Sequence, residues 1–148
     1  MDFAASDMPE QDQRFLEVAF HVIDQAIRLR VTAYQKFSRG EVGDSQSISD
    51  MNRLIDYLQT TEAPASLSSY QAQLLKALSD QRAFFEEWQT QGQQFQYGSP
   101  QKLGTHPKVQ SASTALRQAY GILMQTYPGE TNNNKEAFFD YHCALDFL

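Results

Sequence analysis

Apolar residues recur at intervals of three and four along most of the chain, and no run alternates apolar with polar positions as a strand would. This pattern predicts five helices. The first follows Asp7-Met8-Pro9-Glu10, where Asp7 with Glu10 three residues on reads as a capping box and Pro9 as a first-turn proline; it runs to about Phe37, before Gly40. The second covers about Ile48 to Gln59, after Ser47 with Asp50, and sets Met51, Leu54, Ile55 and Leu58 on one side. Ser68 with Gln71 opens the third, which reaches about Phe95. Turn chemistry from Gly98 to Pro107 precedes a fourth, about Lys108 to Tyr127, which Pro128-Gly129 ends. Asn133 with Glu136 caps a fifth that runs nearly to Leu148.

Helices one and three, at about 28–30 residues, would each be roughly 42–45 Å long. The economical packing is all-α: an antiparallel four-helix bundle of helices one, three, four and five, with short helix two as a lid or crossover. It forms a single domain over residues 1–148.

On helix one the apolar residues from Phe15 to Phe37 fill an arc of roughly 220°, which predicts packing on two sides. Arg30 falls inside that arc. A guanidinium does not shed its proton, so in a core it needs a carboxylate, carbonyls or a ligand. Three outcomes are open: an interhelical ion pair, snorkelling to solvent, or anchoring a small anionic ligand. Helix five carries an apolar face (Ala137, Phe138, Tyr141, Ala144, Leu145, Leu148) and a second stripe of Phe139, Cys143 and Phe147. That places Asp140, His142 and Asp146 among apolar neighbours. Arg30 is predicted to pair with Asp140 or Asp146, and Asp146, four residues after His142, to orient its imidazole. On helix three, Gln81 interrupts the apolar face. Trp88, Phe95 and Tyr97 are the aromatic candidates for a partner surface, and finishing the core is their other reading.

Composition narrows the function classes. The 148 residues carry a formal charge of −6 and one cysteine, so no internal disulfide can form. An acidic balance disfavours a dedicated nucleic-acid binder. One region departs from it: Trp88 to Gly129 holds no acid, contains Lys102, Lys108 and Arg117, and lies in the glutamine-rich part of the chain. A bilayer span and a signal peptide are both unmatched, so a cytoplasmic location is expected.

Catalytic spacings are not met. Cys-x-x-Cys, His-Glu-x-x-His, glycine-rich phosphate loops and Gly-x-Ser-x-Gly do not occur. Glu17, His21 and Asp24 only approach a metal-bundle pattern, on the solvent face of helix one. Arg14 and His21, separated by six residues, resemble the Arg-x(4–6)-His element of the HEPN ribonucleases in those two positions alone. Phe15 stands where that family usually has a polar residue, and no activity is carried over. No metal or cofactor is expected. The preferred reading is a non-catalytic protein–protein interaction module, with a protein partner or a homodimer. Its rival is a ligand-binding or catalytic bundle in which Arg30, Gln81, His142 and Asp146 line an internal pocket. Weak nucleic-acid binding through residues 88–129 is a third reading.

Overall fold

The computed structural model describes residues 1–148 and contains helices but no strand. The elements are α1 (Glu10–Ser38), α2 (Ser45–Thr60), α3 (Ser68–Gln91), the single-turn α4 (Pro100–Leu103), α5 (Pro107–Thr126) and α6 (Asn132–Leu145). The periodicity thus leads to the all-α bundle expected of it. No helix is long and apolar enough to cross a membrane.

Contacts at the helix ends fix the directions. At the lower end Asp12, in the first turn of α1, accepts from Ser66 Oγ at 2.8 Å and from the Tyr127 hydroxyl at 2.6 Å. Asn134, in the first turn of α6, exchanges hydrogen bonds with the backbone of Asp2, both at 2.9 Å. At the upper end Lys36 pairs with Asp44 at 3.0 Å and Phe37 stacks on Trp88 with centroids 4.2 Å apart. There too His106, capping α5, bonds Glu87 near the end of α3. Helices α1, α3 and α6 therefore run upward, and α2 and α5 downward.

Neighbours follow the order α1, α2, α3, α5, α6 and back to α1. The second helix, at 16 residues longer than α6, is thus a wall between α1 and α3 rather than a lid. Its buried Met51, Ile55 and Leu58 give it an inward face like the others. Adjacent helices are antiparallel except where α6 closes the ring beside α1.

The start signals act at shifted positions. No side chain caps α1, whose N-cap is Pro9. Asp44, rather than Ser47, caps α2 by accepting from the Ser47 amide at 3.2 Å. Thr131, two residues ahead of Asn133, caps α6 by accepting from the Asn134 amide. A 3₁₀ turn after Pro64 leads into α3, and Gln71 Nε2 reaches back to the Leu58 and Thr61 carbonyls at the end of α2, both at 2.8 Å. A side chain expected at a helix start thus closes the preceding helix end.

Two aromatic nests fill the ring. Phe37, Phe84, Phe85, Trp88, Phe95 and Phe147 pack together at the upper end, and Phe20, Phe138, Tyr141 and Tyr70 gather around His142 lower down. The wide apolar arc of α1 is covered over only part of its length. With 14 residues against 29, α6 spans about 21 Å beside a helix of about 43 Å. Above the point where α6 stops, Val31 and Tyr34 are exposed.

Candidate functional site

Residues from three helices converge on the end of α6. Its last carbonyls have no intrahelical donors and must find others. Arg30 Nε donates to the Ala144 carbonyl at 2.6 Å, and Gln81 Nε2 donates to the Leu145 carbonyl at 2.8 Å. A cation at this end also suits the negative pole of the helix dipole. Asp146 is the C-cap residue and accepts from Ser113 Oγ at 2.6 Å and from the Leu148 amide at 3.0 Å. Arg30 and Gln81 thus meet at the end of α6 beside its cap Asp146, and their focus is backbone carbonyls rather than a pocket. The predicted ion pair of Arg30 with Asp140 or Asp146 is replaced by a carbonyl bond. Asp140 is exposed on the outer side of α6. Partial burial lowers the Arg30 pKa, and the nearby charge of Asp146 works against that shift. The Gln81 Oε1 is buried without a partner. Neither Arg30 nor Gln81 lines the clefts beside the Met1–Phe3 segment, on α5 and α6, between α1 and α2, or at the lower end.

His142 is likewise committed. Its Nδ1–H donates to the Phe138 carbonyl at 2.6 Å, one turn back, which leaves Nε2 to accept from the Tyr70 hydroxyl at 3.1 Å. Burial holds the imidazole down at about 4, with the Phe138 bond pulling the other way. Burial also pushes the Tyr70 hydroxyl well above the usual phenol range. The expected orientation of His142 by Asp146 does not occur, because the imidazole bonds its own helix and Asp146 bonds Ser113. Cys143, in the second apolar stripe of α6, is exposed. What burial it has, with Asp146 and Asp140 nearby, pushes its thiol up and away from thiolate chemistry.

Trp88 and Phe95 are 1% and 7% exposed, inside the upper aromatic nest, so neither presents a partner surface. Tyr97 is half-buried, its ring edge-on to His106 at 4.7 Å. His106 accepts from the Lys108 amide through Nδ1 at 3.0 Å, so its Nε2–H donates to Glu87. The stretch that lacks acids in sequence meets them in space. Asp80 accepts from Ser111 Oγ at 2.6 Å and takes Lys76 at 2.9 Å and Lys108 at 3.5 Å. Of the three basic residues in that stretch, Lys108 is thus paired, while Lys102 and Arg117 have no salt-bridge partner within the chain. Arg14 pairs with Glu10 at 2.9 Å on the surface. Glu17, His21 and Asp24 line an open cleft with the Met1–Phe3 segment, and no group of three or more His, Cys, Asp or Glu is placed to hold a metal ion.

The remaining feature lies on the outer side of α5 and α6. Phe139 is 52% exposed and Leu148 57%, and the Phe139 ring meets Tyr120 edge-on at 5.8 Å. On one side of this aromatic ridge is a cleft of about 350 Å³, with buried Leu116 and His142 at its base and Cys143, Arg117 and Asp146 also lining it. On the other side a shallower depression is lined by Asn132, Lys135, Glu136 and Asp140. Arg117, Glu136 and Asp140 have no salt-bridge partner within the chain, and Lys135 bonds the Pro128 carbonyl. The stripe of Phe139, Cys143 and Phe147 signalled this face. Only Phe147 of the three turns inward, onto Phe84 and Phe85.

No protein-family model, curated protein or solved structure matches the chain.

Proposed function

We propose that this protein is a non-catalytic protein-interaction module that binds its partner through the outer face of α5 and α6. The observation that carries this reading is Phe139, a half-exposed phenyl ring at the crest of a ridge between two depressions. An aromatic anchor rimmed by unpaired charge is how binding energy concentrates at interfaces. The groups that could have served catalysis, Arg30, Gln81, His142 and Asp146, are occupied in holding α6 and the core together. A free, exposed Cys143 suits a reducing compartment, and the cytoplasm is the proposed location.

The test compares Phe139→Asp with Tyr57→Asp in the cells that make the protein. Tyr57 is an equally exposed aromatic on α2, at 50% exposure. The native complex should be lost with the first substitution and persist with the second. A complex that survives Phe139→Asp would place the binding face elsewhere.

A further inference from the structure

We infer that the occupant of this face is a second copy of the chain, related by a two-fold axis, with the Phe139 ring of each copy seated in the other's α5–α6 cleft. This rests on the interaction reading above and names its partner. A two-fold interface requires one patch to complement itself. Here projection and hollow lie side by side on one helix pair: Phe139 stands proud, and the cleft beside it is lined by Leu116, His142 and Cys143. At about 350 Å³ the cleft lies near the lower end of the range for organic ligands, roughly 300–1,000 Å³, which suits one aromatic side chain better than an extended peptide.

Charge selects the same occupant. A chain of net charge −6 would draw a basic partner to an acidic face. This face is mixed instead, with Arg117 and Lys135 set against Glu136, Asp140 and an Asp146 that is already held by Ser113. Glu136 precedes Phe139 by three residues on α6 and Asp140 follows it directly. When the ring enters the partner's cleft, these carboxylates arrive at the rim where Arg117 stands. The two-fold axis makes the contact twice.

Sedimentation equilibrium of the full chain across the micromolar range reads the outcome. The parent should be dimeric, and Phe139→Asp should weaken self-association by at least about 30-fold, as expected for an interface hot spot. Arg117→Glu should weaken it about tenfold. Adding Glu136→Arg and Asp140→Arg to Arg117→Glu should recover most of that loss. Circular dichroism establishes that each variant stays helical. A parent that remains monomeric throughout overturns the inference, as does a dimer that Phe139→Asp leaves intact. If the monomer then binds a different protein through Phe139, the interaction reading stands and only the second copy falls.

Discussion

Arg30 of α1 and Ala144 of α6 are 114 residues apart in sequence and are joined by a 2.6 Å hydrogen bond from Nε to the carbonyl oxygen. The bond ties the only parallel neighbours in the ring at the level where α6 ends. Arg30→Met would leave that carbonyl without its donor, and a bond from a charged group contributes about 1.5–3 kcal/mol. Because Arg30 is only partly buried, the expected loss is at the low end, read as a lower urea midpoint with an unchanged slope. A midpoint equal to the parent's would mean that water replaces the guanidinium at no cost.

Acid should destabilise the fold in two stages. His142 titrates at about 4 when folded and near 6.5 when unfolded, so between those values the unfolded chain binds more protons. Stability is therefore complete above about pH 6.5 and falls with pH down to about 4, by about 2 kcal/mol between pH 7 and pH 5. Below that window a second loss sets in. Burial alone would raise the carboxyls of Asp44, Asp80 and Glu130, but hydrogen bonds from Ser47, Lys76 and Ser6 among others hold all three below the ordinary range. Their contribution disappears as pH falls through those depressed values. His142→Leu should be less stable at pH 7 and should lose the slope between pH 7 and 5 in urea titrations. A slope that persists in that variant would assign it to another group.

The aromatic residues divide into two kinds that stability measurements separate. Trp88→Ala removes the ring stacked on Phe37 in a closed core and should cost about 3–5 kcal/mol. Phe139→Ala, on the open face, should change the stability of the unassociated chain by no more than about 0.5 kcal/mol. Thermal melts of both at low concentration check this. Similar losses at the two sites would mean that Phe139 contributes to the monomer core.

Two glycines should respond in opposite senses to alanine. Gly92 ends α3 with φ at 56° and ψ at −126°, which side chains rarely adopt, so Gly92→Ala should destabilise by about 1–3 kcal/mol. Gly121 lies inside α5, where a Cβ would meet nothing within 4 Å. Gly121→Ala should therefore stabilise by about 0.5–1 kcal/mol through helix propensity. Paired urea melts decide both signs.

The bundle was legible because burial on helices repeats with the helical period, as in the Met51, Ile55 and Leu58 face of α2. Ring order was not legible, since a short helix can lie over a bundle or within its wall with the same pattern. The grouping of Arg30 with the end of α6 followed from a charge on an apolar face. Its partner was misassigned because sequence spacing displays side-chain acids and hides unsatisfied carbonyls. The Phe139 stripe was visible, but its exposure was not. How far it is covered depends on how many helices flank α6, and both of its sides adjoin helices while its outer face has none. Asp12 gave no signal at all. Its burial comes from two distant loops, carrying Ser66 and Tyr127, that close over the start of α1.

Photo-crosslinking tests the central claim most directly, with benzoylphenylalanine placed at position 139, where it keeps an aromatic ring, and at position 57 as the control. The account predicts an intermolecular adduct from position 139 that maps to the α5–α6 cleft of a second copy around Leu116 and Cys143, and none from position 57. Equal adduct yields from the two positions, or none from position 139 at concentrations where the parent chain associates, would contradict it.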